Sequence, residues 1–228
     1  MRCSQRGNKL TPEEQDLLSQ VEQGLSMAVT YRNKMAACDL YEAYLLMLVV
    51  KAAVDEGATV EFRDSTDAAA PHLTLRSGPS SIFTSAQYTH ARITFPGKPP
   101  LEAHVGIYVA GLSTVVHECD VAVIDAEEAR NCRQNSSHPS RNKLLVGIEC
   151  KYYSSNVGID LIRSFLGLTD ELKKKDRFFV SNIGGANPQK MLVKHGIAWS
   201  TTLVPGQPKE TQRIQGALST IFRDYKTL

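Results

Sequence analysis

The sequence predicts an α/β fold in which a central mixed β-sheet is flanked by helices. Two observations carry that prediction. Helical periodicity comes first, strand-like alternation follows, and the last third alternates α-β-α-β-α. The chain has 228 residues, 42% hydrophobic and 22% charged, which suits one ordinary globular core. We read residues 1–228 as a single domain. It comprises a helical extension over 1–38, a core over 39–204 with inserted strands at 59–111, and a C-terminal helix within 205–228.

Thr11-Pro12-Glu13-Glu14 opens the first helix: Thr11 caps, Pro12 suits the first helical position and Glu14 completes a capping box. Leu17, Leu18, Val21 and Leu25 then recur at helical spacing. A second, strongly apolar helix spans about Asp39 to Asp55 and is stopped by Gly57. Val60–Arg63, Leu73–Arg76 and Ala91–Phe95 alternate like strands with one wet face, separated by Gly78-Pro79 and Pro96-Gly97. Val115–Asp125 and Lys143–Tyr153 are strands with stronger apolar bodies, and the polar stretch Glu127–Asn142 between them reads as a flexible loop. Helical spacing returns from Ile159 to Leu172. A strand at Arg177–Ser181, a short helix at Pro188–Lys194, a strand at Ile197–Val204 and a helix at Glu210–Tyr225 complete the order.

Composition narrows the classes. The longest apolar run, Tyr44 to Val54, contains Lys51 and falls short of the roughly 20 residues that span a bilayer. The polar, basic start from Met1 to Leu10 does not read as a signal peptide, so a cytoplasmic protein without membrane association is expected. Five cysteines (Cys3, Cys38, Cys119, Cys132, Cys150) lack paired zinc-ligand spacing and are expected to be reduced thiols. A net charge of +2 is too small for a general polycation, so any nucleic-acid contact must come from local patches.

The chemistry lies in Glu118-Cys119-Asp120-Val121-Ala122-Val123-Ile124-Asp125 and Val146-Gly147-Ile148-Glu149-Cys150-Lys151. On a strand, Glu149 and Lys151 share one face, as do Glu118 and Asp120. Asp120 stands six positions before Ala126 and Glu149 six positions after Lys143, so a hairpin between the two strands brings both carboxylates to one end, beside Lys151. Two such carboxylates repel unless a cation joins them or one is protonated. A hard divalent ion resolves this; Mg²⁺, with Mn²⁺ as a substitute, prefers oxygen ligands and keeps waters for a phosphate substrate. The competing explanation is a half-exposed edge strand with charged outward residues. Glu171-Leu172-Lys173 repeats the Glu-x-Lys spelling on a helix, where it reads as a solvated face.

Asp120 followed by Ile148-Glu149-Cys150-Lys151 resembles the Asp…(Asp/Glu)-x-Lys signature of the PD-(D/E)XK, or restriction-endonuclease-like, nucleases. Glu42, in Leu40-Tyr41-Glu42-Ala43-Tyr44, matches the acidic residue that the family carries on a helix before its core strands. Ile159–Leu168 is similar to the helix after the active strand in Mrr-like type IV restriction enzymes. The resemblance covers about Leu40 to Ile197 and rests on a short motif. It implies a restriction-endonuclease-like core with extra N-terminal helices and strands. Asp120 and Glu149 would be metal ligands, joined by the Cys150 carbonyl; Lys151 would serve the attacking water, and Glu42 would support a second metal or position the first. The implied activity is Mg²⁺-dependent cleavage of DNA in restriction or phage defence, with a homodimer or partner protein choosing the target. Two features depart from the pattern: His117-Glu118-Cys119 stands where a proline often precedes the aspartate, and the segment between the motifs is long. RNA or branched DNA as substrate, or a non-catalytic binding module on the same fold, are the alternatives.

Supporting residues have plainer explanations. With Asp39 as N-cap, Glu42 would complete a capping box. Glu118 is a further ligand or a solvent-side residue, and His117 is a weak candidate for a base. Lys173-Lys174-Lys175 with Arg177 would contact phosphates or complement a helix C-terminus. Arg130, Arg133, Arg141 and Lys143 make the central stretch basic, Ser181-Asn182 and Gly184-Gly185 read as a turn, and Trp199 reads as core.

Overall fold

A computed structural model describes residues 10–30, 37–173 and 175–227. Its centre is a seven-stranded mixed sheet. In chain order the elements are α1 (Pro12–Leu25), β1 (Val29–Thr30), α2 (Ala37–Asp55), β2 (Thr59–Asp64), β3 (Leu73–Thr74), β4 (Thr89–Thr94), β5 (Leu101–Ala110) and β6 (Val116–Asp125). They continue with α3 (Ala126–Asn135), β7 (Leu144–Lys151), α4 (Ile159–Leu172), β8 (Arg177–Ser181), α5 (Ala186–Lys194), β9 (Ala198–Thr201) and α6 (Pro208–Thr227). The large sheet has the order β2-β4-β5-β6-β7-β8-β9. Pairing is antiparallel from β2 to β7 and parallel through β7, β8 and β9. Short reversals connect β4 to β5 and β5 to β6, and longer segments carrying β3 and α3 connect β2 to β4 and β6 to β7, whereas the parallel pairs need the crossovers that α4 and α5 provide.

Both faces are covered. Val121, Val123, Val146 and Ile148 point into a core shared with α1, α2 and α6. Ala122 and Ile124 point the other way, towards Ala129 and Cys132 of α3 and Leu172 of α4. Phe179 packs with Ile162 and Phe165 of α4 and Leu192 of α5. Helix α2 has no wet stripe over most of its length, because α1, α6 and the sheet surround it. The capping box of α1 is formed: the Glu14 amide donates to Thr11 Oγ1 at 3.2 Å, and the Thr11 amide donates to Glu14 Oε2 at 2.6 Å.

Several sequence expectations are corrected. The stretch 127–142 is not a flexible loop. It holds α3, capped by Asp125, whose carboxylate accepts from the Glu128 amide at 2.9 Å. Small apolar residues at i, i+3 and i+6 (Ala126, Ala129, Cys132) bury one narrow face, a signal hidden by the polar residues around it. Of Leu73–Arg76 only Leu73 and Thr74 form a strand, paired in parallel with β1 in a separate two-stranded sheet. Arg76 leaves the strand to lie over the Tyr88 ring, 3.4 Å from its centroid. Strand β9 is shorter than Ile197–Val204. Asp39 is not an N-cap, because α2 begins at Ala37. The edge-strand explanation for β7 also fails, since β2 and β9 are the edges of the large sheet. Residues 1–9, 31–36 and Lys174, with the readings placed on them, lie outside the described residues. Cys119, Cys132 and Cys150 are free thiols, and no helix among the described residues is long and apolar enough to cross a membrane.

Candidate active site

Strands β6 and β7 pair as Val121–Ile148, Ala122–Gly147 and Val123–Val146, with an irregularity before Ile124–Leu144. One step before Val121–Ile148, this register sets Asp120 against Glu149. The amide of Cys150 donates to Asp120 Oδ2 at 2.7 Å, and Lys151 Nζ donates to the same oxygen at 3.1 Å. Lys151 Nζ also lies 2.6 Å from Glu149 Oε1. One ammonium therefore bridges the two carboxylates expected at the site. The Asp120 side chain is almost wholly buried, while those of Glu149 and Lys151 keep 17% and 22% of their surface. The strand end is thus partly reached by solvent.

A distortion in the neighbouring strand helps present Asp120. The β5–β6 ladder runs Val105–Val121 and then Ile107–Cys119, skipping the Gly106–Asp120 position. Gly106 has φ +60, and its carbonyl accepts from the Ser80 amide at 3.0 Å instead of continuing the ladder. A glycine adopts that left-handed conformation without a Cβ clash. Across the bend Val121 joins the core under α2, whereas Cys119 joins the opposite one. Asp120 stands at the crossover.

Electrostatics mark the site as crowded with acid. Burial and then Asp120 push the Glu149 carboxyl up to about 7. Burial, followed by Asp120, Asp39 and Glu118, raises Glu42 well above the carboxylate range, so α2 carries Glu42 into the same electrostatic neighbourhood. Burial alone would lower Lys151, but Asp120 and Glu149 outweigh it and hold the ammonium protonated. Burial pushes the Cys150 thiol well above its ordinary value, so it is not a nucleophile. Beside Glu149 a cleft is lined by Glu118, Phe165, Thr169, Leu172 and Arg177.

The donor set suits a hard cation: carboxylate oxygens from Asp120 and Glu149, with the Cys150 backbone held against Asp120. A tight three-carboxylate cage is absent among the described residues. The group whose ligand atoms converge within 4.8 Å is His90, Glu102 and His104, elsewhere on the sheet. An ion at Asp120 and Glu149 would keep open positions for water and phosphate, as Mg²⁺ prefers.

Other candidates are placed elsewhere. His117 Nε2 lies 3.5 Å from Glu171 Oε2, and that carboxylate also accepts from the Ser113 amide and hydroxyl at 3.0 and 2.8 Å. Glu171 is thus a half-buried anchor for the β5–β6 turn, not a solvated face. Arg133 is forked onto Glu102 with both contacts at 2.8 Å, Arg141 donates to the Asp170 and Glu171 carbonyls, and Lys143 faces Asp125 at 3.8 Å. Arg133 and Arg141 are thus engaged within the fold, whereas Lys143 and Arg130, the latter 3.6 Å from Glu127, keep most of their side chains exposed. Lys173 and Lys175 are exposed beyond α4, whereas Arg177 is buried and donates to the Leu172 carbonyl. Trp199 is half-buried, with the Arg213 guanidinium 4.3 Å from its ring centroid.

Asn182, read from sequence as turn, has a larger part. Its Oδ1 accepts from the Tyr153 amide at 2.8 Å, and its Nδ2 donates to the Tyr153 carbonyl at 2.9 Å. Its own amide donates to the Lys151 carbonyl at 3.2 Å. The chain leaving Lys151 is therefore fixed by a side chain that mimics a strand partner, a role no local pattern announces. No protein-family model, curated protein or solved structure matches this chain.

Proposed function

We propose that the protein is a Mg²⁺-dependent endonuclease that hydrolyses phosphodiester bonds in DNA, built on a restriction-endonuclease-like core. The observation that carries this reading is the bridge from one ammonium, Lys151, to Asp120 and Glu149 at a partly exposed strand end, with Glu42 and Glu118 adding further acid. Carboxylates outnumber the amine, and burial raises the cost of leaving them charged. Bound between Asp120 and Glu149, Mg²⁺ would neutralise the acids and polarise the scissile phosphate.

The chain's own residues then divide the work. Asp120 is held by the Cys150 amide and fixes the inner side of the site. Glu149, more exposed, turns towards the reactant. Lys151, protonated in the absence of metal, donates to a phosphate oxygen or orients the attacking water, which its charge favours over accepting a proton. Glu42 brings a further carboxyl from α2 into the neighbourhood of Asp120. Restriction or phage defence is the biological setting we infer from the motif. A homodimer or a partner protein supplies target choice, since Arg133 and Arg141 of this basic stretch are engaged within the fold.

The same bridge also supports a second reading. Lys151 by itself can neutralise Asp120 and Glu149, which is what a non-catalytic binding module on this fold would retain. Incubation of purified protein with supercoiled plasmid and Mg²⁺, beside Lys151→Ala, separates the two. Nicking by the wild type and at least a hundredfold slower nicking by Lys151→Ala is expected for a nuclease. Equal nicking by both, or none by either, favours the binding module.

A further inference from the structure

A second group of metal-ligand side chains lies on the other antiparallel half of the sheet. His90 is on β4, and Glu102 and His104 are two residues apart on β5, so these last two share a face. The register Ala91–Ala103 places His90 directly opposite His104 and leaves Glu102 diagonal to it. All three side chains are fully buried. His104 Nε2 lies 2.9 Å from Glu102 Oε2, and His90 Nε2 lies 3.6 Å from the same oxygen. Neither ring nitrogen of His90 has a hydrogen-bond partner, and His104 Nδ1 also lacks one. Buried polar groups are nearly always satisfied, so an imidazole with two idle nitrogens calls for a ligand.

We propose that His90, Glu102 and His104 form a structural zinc site, independent of the candidate active site. Two imidazole nitrogens and one carboxylate oxygen are a zinc donor set, whereas Mg²⁺ prefers oxygen alone. Zinc bonds of about 2.0–2.2 Å place tetrahedral ligand atoms roughly 3.4 Å apart. The 3.6 Å separation is already close to that figure, and the 2.9 Å hydrogen bond would lengthen by a few tenths of an ångström. The two rings stack within 18° of parallel, so binding requires one to turn; His90, held by no hydrogen bond, is the free one.

Arg133 orients the Glu102 carboxylate. Its guanidinium donates to both Glu102 oxygens, and on zinc binding the contact to Oε1 would persist while Oε2 turned to the ion. An outer partner of this kind orients a ligating carboxylate. Asp67, half-exposed, has its Oδ1 3.7 Å from His90 Nε2 and offers a fourth oxygen. An ion held there would tie β4 to β5 and, through Arg133, to α3.

The test is calorimetric titration of chelator-stripped protein with ZnCl₂, for the wild type, Asp120→Asn and His90→Gln. One zinc per chain in the wild type and in Asp120→Asn, with at least tenfold weaker binding in His90→Gln, is expected. Absence of stoichiometric binding in the wild type, or binding lost in Asp120→Asn but kept in His90→Gln, overturns the proposal. Should His90→Gln not fold, X-ray absorption of the zinc-loaded wild type decides: two imidazoles in the ligand shell support the site, and an all-oxygen shell refutes it. None of these readouts depends on nuclease activity, so the two assignments stand or fall separately.

Discussion

At the scale of single residues, Lys151 governs the candidate site because it is the cation shared by Asp120 and Glu149. Removing it leaves two facing carboxylates without a counter-ion. Lys151→Ala should therefore lower metal-free stability by about 2 kcal/mol, a partly buried pair falling between the exposed and buried cases. Mg²⁺ should restore more stability to this variant than to the wild type, because binding to the folded state stabilises it by mass action. Thermal melting with and without Mg²⁺ checks this, and a variant that melts like the wild type in both conditions would remove Lys151 from the site. Asn182 makes a second residue-scale prediction. Asn182→Ala should cost about 1–3 kcal/mol by leaving the Tyr153 backbone unpaired, measured by urea unfolding.

At the scale of elements, two glycines shape the strands around Asp120 and Glu149. Gly106→Ala would force a Cβ into a left-handed conformation although space is available, at about 1–2 kcal/mol. Gly147 meets a different limit: a Cβ there would lie 2.9 Å from Arg177 Cδ, across the strand that carries Glu149. Gly147→Val should cost roughly 1–3 kcal/mol by overpacking, and urea unfolding of the two variants should separate strain from crowding by their response to an Arg177→Ala background. Only Gly147→Val should be relieved there. These elements also show what the sequence carries. The apolar bodies of β6 and β7, and the equal spacing of Asp120 and Glu149 from the ends of the segment joining them, give the hairpin and its register. The bend at Gly106 does not show, because it depends on Ser80 drawing the carbonyl away from the ladder. Strand β5 hides too: it is buried on both faces and lacks the alternation that marks a half-wet strand. Helix α3 is concealed by its charged residues, one of which, Arg133, is used internally by Glu102.

At the scale of the whole molecule, the layers are legible from the order of periodicities, whereas the long-range polar links are not. Glu56, just beyond α2, accepts from Lys226 at 2.9 Å and from Arg223 at 2.6 Å, closing α6 onto α2. Lys226 first, and then Arg223, hold the Glu56 carboxyl below its usual value. A depressed folded-state value means that this stabilisation is present above the unfolded carboxylate pKa of about 4.3 and disappears as pH falls through the folded value. Glu56→Gln should thus lower the melting temperature at pH 7, and the difference from the wild type should vanish in strong acid. A pH-independent difference would point to packing instead.

The central claim is that Asp120 and Glu149 hold a divalent ion beside Lys151, and Mn²⁺ reports this directly through its paramagnetic resonance signal. The wild type should bind Mn²⁺ at an inner site, while Asp120→Asn and Glu149→Gln should each weaken that binding at least tenfold. Equal Mn²⁺ binding by all three proteins, or none by the wild type, would contradict it.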